Sequence, residues 1–465
     1  MKQKKYIILI IASLFMLGSC KKQLDLQPTD SFNEANAFLS MADVQQGAYG
    51  AYIRYGNSYL SDMYVSALLS DEAKLGAGNA GQGALTYRYQ YGSDGTSGTD
   101  VIAAFGTYYA VIDQVNRVLP HIATVTAAPV DEPRRNILKG QLLALRGIAH
   151  FGLLQSYSKV YDPADPLGVP VMTVSDPLGK PARNSTVQVM AEIETDLANA
   201  KALLPAVTAA TFSDTVINKI NIAAYQARVA LYKRDYDAAV TYSTEVIASG
   251  IKPLVSGAAF AGIWTDANTN EVLFRIRYTD NTVGSLWTTV GGAIYVAPSD
   301  KLVASYSASD IRLPAYIGNA GGNNYVNKFY MSGLGGRIVS MKAARTAEMY
   351  LIRAEANARK ATPDITAAAA DINLLRSMRT TGYTNQVFAT ATDAINAVMD
   401  ERFKELAFEG FRFFDLKRNN LPVQRLASDA NAAWQTLPVG STRFVLPIPA
   451  SELLVNPNMV QISGY

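Results

Sequence analysis

Residues 218–250 read NKINIAAYQARVALYKRDYDAAVTYSTEVIASG, and their spacing decides what kind of protein this is. Ala223, Ala224, Ala227 and Ala230 recur at the three-and-four interval of a helix, and their small side chains admit a close neighbour. Asp235-Tyr236-Asp237 interrupts the pattern as a turn. Ala238, Ala239, Tyr242 and Val246 then lie on a returning helix. The segment is a helix pair with an apolar face that it cannot bury alone.

A second pair follows at Arg345–Arg359 and Ile365–Arg379. Small and aromatic residues at these places, in units of about 34 residues, resemble a degenerate tetratricopeptide repeat, whose pairs gain stability by stacking. Outward from these pairs, Asn136–Tyr157 carries Leu138, Leu142, Leu145 and Leu153 on one face, and Thr186–Leu204 carries Val189, Ile193 and Leu197. Asp43–Tyr55 and Asp62–Leu69 read as two helices, Val101–Leu119 as one closed by Pro120, and Thr392–Phe408 as the last. The expected class is mainly α, with tetratricopeptide-like pairs forming an α/α superhelix under an irregular capping region.

Three regions break the helical pattern. From Gly76 to Thr99 the chain is rich in Gly, Ser, Asn and Thr, with Tyr87, Tyr89 and Tyr91 alternating; an extended segment would put those rings on one face. A long irregular segment within a folded protein is more often functional than idle. Residues 255–340 form a loop-rich capping insertion with short apolar pieces such as Val272-Leu273-Phe274. Five prolines make 161–183 a surface crossing, and the Pro-rich tail from Leu446 reads as an extended strap.

The amino terminus has its own logic. Lys2, Lys4 and Lys5 precede an apolar run from Tyr6 to Leu17, too short to span a bilayer. The run closes on Leu17-Gly18-Ser19-Cys20, which resembles a bacterial lipobox: residues 1–19 read as a lipoprotein signal peptide, Cys20 as the acylated (palmitate-bearing) terminus, and 20–33 as a lipidated tether. Cys20 is the sole cysteine, so it has no disulfide partner within the chain. After Leu17 no apolar run approaches bilayer length. A net charge of +3 gives no argument for nucleic acid. The excess is in tyrosine, with 26 Tyr against 16 Phe and 3 Trp, a residue suited to half-buried and binding surfaces.

Four stretches together resemble the SusD/RagB family of outer-membrane nutrient-binding lipoproteins of Bacteroidetes: QLLALRGIAHFGLLQSYSKVY (141–161), EMYLIRAEANAR (348–359), DERFKELAFEGFRFFDLKR (400–418) and LPIPASELLVNPNMVQISGY (446–465). The resemblance implies a helical region at 34–254, the insertion at 255–340, and a C-terminal helical region with its strap at 341–465. It also implies a non-catalytic receptor on the outside of the outer membrane. Such a receptor holds an oligosaccharide, or in some members a peptide, for a SusC-like TonB-dependent barrel. A scaffold without a small ligand is a further alternative. One feature departs from the pattern: surface lipoproteins of this phylum commonly carry acidic residues just behind the Cys, whereas here Lys21 and Lys22 follow.

The resemblance carries over no ligand residues. The expectation for these rests on stacked rings beside planar polar groups, the chemistry that suits sugars. It names Tyr87, Tyr89 and Tyr91 with Arg88, Gln90 and Asp94, and Trp287 and Tyr295 near Asn281, with Trp264 and Arg277 further off. No catalytic residue, metal or cofactor is expected. His150 sits among Leu and Phe, Glu401 and Glu405 lie on an ion-paired flank, and the Asp94–Asp100 loop lacks the spacing of a calcium loop. Arg353, Glu355, Glu401, Arg402, Glu409 and Arg412 read as structural ion pairs.

Overall fold

The computed structural model describes residues 37–289, 291–330 and 335–465. The leader, Cys20 and the tether lie outside the described residues. Helix α1 (Met41–Leu69) is followed by strand β1 (Ala73–Leu75), a short turn of helix α2 (Ala84–Tyr87), then α3 (Asp100–Thr124), α4 (Glu132–Tyr157) and α5 (Thr186–Leu203). Next come the pair α6 (Lys219–Lys233) and α7 (Tyr236–Ala248), then α8 (Gly257–Trp264), β2 (Val272–Ile276) and β3 (Val296–Pro298). Small elements α9 (Asp300–Ser305), α10 (Arg312–Tyr316), β4 (Ile317–Ala320) and β5 (Asn323–Val326) lead to β6 (Met341–Arg345). The second pair, α11 (Thr346–Arg359) and α12 (Ile365–Arg379), precedes α13 (Ala391–Glu405), α14 (Arg412–Arg418), β7 (Val423–Gln424), β8 (Thr436–Leu437) and α15 (Ala450–Val455).

The helices stack in series: α1 on α3, α3 on α4, α4 on α5, α6 on α7, α7 on α11 and α11 on α12. The mainly helical architecture expected from residues 218–250 is therefore observed. Helix starts are chemically marked. Ser40, Ser185, Asn218 and Thr390 each cap α1, α5, α6 and α13 through a reciprocal bond with the residue three places on. Helix α4 is long and apolar enough to cross a membrane, but it lies almost wholly inside the protein, between α3 and α5.

Several boundaries differ from the expectation for physical reasons. Helix α1 is continuous, because Tyr55, Tyr59, Leu60 and Met63 are buried across the expected break, and the Ser58 and Ser61 hydroxyls are satisfied by the carbonyls of Arg54 and Asn57. Gly56 in its middle lets Tyr278 approach: a Cβ there would lie 2.6 Å from the Tyr278 hydroxyl, which would have to shift. Helix α3 runs past Pro120 to Thr124, since buried Val118 and Ile122 hold it and the Arg135 guanidinium takes the terminal carbonyls of Ile122 and Val125. The turn in residues 218–250 falls at Arg234-Asp235, where Arg234 adopts φ +68° and Asp235 caps α7. The tail is a strap that includes α15, which starts directly after Pro449, where a proline costs no helical hydrogen bond.

The ion pairs are real, but they do not line a solvent flank. Glu405 bridges Arg379 (3.0 Å) and Arg345 (2.9 Å), and Glu409 bridges Arg345 (2.6 Å) and Lys328 (2.7 Å), all with side chains essentially out of solvent. Glu401 holds Arg312 and Arg376 (2.7 Å), and Glu271 holds Arg379 (2.7 Å). Arg353 pairs with Asp371, Glu355 with Arg418, Arg402 with Asp415, and Arg412 with Asp71. Charges spaced along one helix were legible; that they turn inward and knit α13 to α10, β6 and α12 was not.

Candidate functional site

The site begins with a ladder of three residue pairs. Strand β1 pairs antiparallel with β3, Ala73 opposite Pro298 and Leu75 opposite Val296. The ladder extends as Gly76 donates its N–H to the Tyr295 carbonyl (3.0 Å) and Gly78 donates to Ile294 (2.7 Å). Gly76 is required here, because a Cβ would meet the Ile294 carbonyl oxygen at 2.3 Å. Two irregular segments far apart in sequence, 76–100 and 281–295, are thereby drawn together. Asn79 stitches them, its amide donating to the carbonyls of Tyr295 (2.9 Å) and Gln82 (2.8 Å).

Between the two segments lies an open groove of about 600 Å³, lined by Tyr64, Gln82, Thr99, Asp100, Thr289 and Tyr295 among others. Tyr64 and Tyr295 are both half-buried. Burial raises the Tyr295 hydroxyl to about 12, with the Arg337 guanidinium acting in the opposite direction. Burial likewise raises Tyr64. Both hydroxyls stay protonated near neutral pH. Asp100 opens α3, and its carboxylate accepts the Thr86 hydroxyl at 2.8 Å. The groove thus offers two ring faces, an amide, several hydroxyls and one carboxylate, a lining suited to a polyhydroxylated ligand. Beyond it, Arg337 stacks 4.0 Å over the Tyr330 ring, whose centroid is 4.5 Å from that of Tyr325.

Of the aromatic residues named from sequence, Tyr295 lines the groove and the others are placed elsewhere. Tyr87, Tyr89 and Tyr91 do not share a face, because α2 and the positive φ of Tyr89 (58°) break any extended run. Tyr87 is buried, donating its hydroxyl to the Asp429 carbonyl (2.9 Å) under the Arg425 guanidinium, 3.8 Å from the ring. Tyr89 is half-buried and donates to Leu69. Tyr91 is buried, bonds the Arg443 carbonyl (2.6 Å) and stacks on Tyr465. These rings pin the 84–91 segment onto the C-terminal region. Trp287 is 1% exposed, packed against Phe329, Phe408 and Tyr64, and so forms the floor behind the groove. Trp264 is similarly buried, with Lys328 over its ring.

The polar residues named from sequence also have local partners. Arg88 stacks on Trp434 (4.9 Å), and Gln90 is exposed. Asp94 accepts the amides of Thr96 (3.1 Å) and Ser97 (3.2 Å), bonds that hold its carboxyl below the usual range. No cluster of metal-ligating side chains occurs among the described residues. His150 is enclosed: its Nε2 accepts the Met172 amide (3.2 Å), so Nδ1 carries the proton toward the Arg146 carbonyl (3.1 Å). Burial depresses its pKa to about 3. Sequence reasoning missed Tyr64, Gln82 and Arg337. Tyr64 sits inside an apolar helix pattern with nothing local to mark it.

Comparison with known proteins bears on the chain and its fold as a whole. Residues 322–465 match the SusD family, and residues 22–231 match a family described as starch-binding associating with outer membrane. The SusD-like protein P2 of Formosa agariphila is 24% identical over 517 residues, spanning 98% of this chain and 99% of that protein. A SusD superfamily protein of Bacteroides thetaiotaomicron is 27% identical, with TM-score 0.79 over 91% of this chain and 99% of that one. A SusD-like carbohydrate binding protein of Bacteroides vulgatus is 22% identical, with TM-score 0.77 over 92% of this chain and 100% of its own.

Proposed function

Since this chain belongs to the SusD/RagB family, we propose that it is a non-catalytic, lipid-anchored receptor that binds an oligosaccharide in the groove between residues 76–100 and 281–295. It then hands the ligand to a SusC-like TonB-dependent barrel in the outer membrane, with Cys20 bearing the lipid and the groove facing outside the cell. The observation that carries the reading is convergence. Two irregular segments nearly two hundred residues apart meet at one groove whose walls are tyrosine rings, hydroxyls and an amide. The family described as starch-binding and the carbohydrate-binding protein from Bacteroides vulgatus favour a glycan over a peptide.

Tyr64 and Tyr295 act as stacking surfaces, while Gln82, Thr99 and Asp100 accept or donate to sugar hydroxyls. Tyr87, Tyr91 and Trp287 support the loops behind them. The test is calorimetric titration of the full chain, extracted in detergent, against a glycan panel and a peptide panel, with wild type beside Tyr295→Ala. Glycan binding weakened by the substitution supports the reading. Binding confined to peptides, binding indifferent to Tyr295, or turnover of the bound glycan overturns it.

A further inference from the structure

A second, larger cavity of about 980 Å³ shares no lining residue with the groove. It lies where the crossing after α4 (residues 159–167) meets the end of α6, the end of α14, the loop 439–445 and the tail at Ile462. Its walls combine apolar surface from Pro163, Pro166, Leu421 and Val439 with hydroxyls from Ser441 and Thr442. Three cations also line it: Lys159, Arg234 and Lys417.

The charge balance within this cavity is uneven. Lys417 is 4% exposed, and its ammonium donates only to two carbonyls at the end of α4, Gln155 and Ser158, each at 2.6 Å. Burial pushes its pKa down to about 7, and it has carbonyl partners but no carboxylate. A buried ammonium without a counter-ion is expensive, and an anion arriving beside it regains that cost. Arg234 is exposed at the left-handed end of α6, and its one recorded bond is to the Arg418 carbonyl at 3.5 Å. None of the three cations forms an ion pair among the described residues. Two carboxylates also stand in the wall, Asp162 and Asp165, each accepting a turn amide, from Ala164 and Leu167, at 2.9 Å, so the three cations outnumber them.

We propose that this cavity is a second saccharide site that takes a uronic-acid residue. The sugar carboxylate sits between Lys417 and Arg234, Ser441 and Thr442 meet the ring hydroxyls, and the proline and aliphatic walls receive the apolar ring face. The planar guanidinium suits a carboxylate, and the enclosed ammonium supplies the point charge.

The test titrates trigalacturonate and its methyl ester into the full chain in detergent, at low and high salt. Arg234→Gln is the variant of choice, because the side chain is exposed and its loss leaves the packing intact. Lys417→Met, whose ammonium also holds α4, is read only if its circular dichroism matches wild type. The expected result is binding of the acid and not the ester, weakened about tenfold by Arg234→Gln and by salt, and unchanged by Tyr295→Ala. Equal binding of the ester, dependence on Tyr295 instead of Arg234, or no binding at millimolar ligand overturns the assignment. So does displacement by a tripeptide with a free C-terminus but not by its amide, which would give the cavity to peptide ends. Because the groove variant is carried in parallel, failure here leaves the groove reading standing.

Discussion

The floor of the C-terminal region and the groove at the other end of the insertion solve opposite problems. In the floor, Arg312, Arg345 and Arg379 lie with Glu401, Glu405 and Glu409 in a space closed to water, each charge answered by two or more partners. In the groove, polar side chains stand half-exposed, and Tyr64 and Tyr295 show a face to solvent. The contrast teaches that paired charge does not mark function in this molecule. The most strongly charged cluster is the most completely satisfied, whereas the groove carries a single carboxylate among uncharged polar groups. Saturated groups hold shape, and groups with remaining capacity recruit partners.

Breaking one member of the floor has the largest expected effect. Arg345→Met takes one cation from each of Glu405 and Glu409, leaving Arg379 and Arg312 on the first and Lys328 on the second, and costs about 3–5 kcal/mol in urea unfolding. Glycan affinity per folded molecule stays as in wild type; a matching fall in affinity would merge the two regions into one.

Acid probes the same floor next. Burial opposes ionisation of Glu355 and Glu401, yet Arg418 for the first and Arg312 for the second hold both near 2 against an ordinary 4.5. A carboxyl depressed on folding gives stability that is complete above pH 4.5 and drains as pH falls toward 2. That is worth about 3 kcal/mol per group at most. Unfolding curves between pH 6 and 2.5 measure it, and a flat profile would show the pairs to be unnecessary.

Tyr295→Ala should weaken glycan binding by tenfold to a hundredfold, about 1.4–2.8 kcal/mol, with little change in thermal midpoint. Tyr87→Phe is its mirror and the smallest effect. Loss of the bond to the Asp429 carbonyl costs about 0.5–1.5 kcal/mol of stability and leaves affinity alone. Were Tyr87→Phe to weaken binding and spare stability, the roles assigned to the two tyrosines would exchange.

Legibility followed local chemistry. The pairs at residues 218–250 and 345–379 could be read because alanine spacing, caps and turns are encoded within a few residues. Irregularity at 76–99 and 281–295 was equally visible, and both segments do border the groove. Which rings face solvent was not visible, because it depends on contacts hundreds of positions away. Arg425 claims Tyr87, Tyr465 claims Tyr91, and Phe329 with Phe408 covers Trp287. Tyr64 was hidden for the converse reason, as one aromatic on a largely buried helix whose hydroxyl reaches the groove beside Gly83.

The β1–β3 clasp has an evolutionary corollary. Its three residue pairs are joined through the backbone, and a few side-chain positions beside them, Gly76, Asn79 and Ser299, complete the fastening. The rings of Tyr87, Tyr91 and Trp287 anchor the same two segments to the C-terminal region and the insertion, so the positions free to vary are the groove-lining ones between these anchors. On the function proposed above, new specificity then calls for substitutions at those positions only, on two short stretches of gene, with the anchors kept.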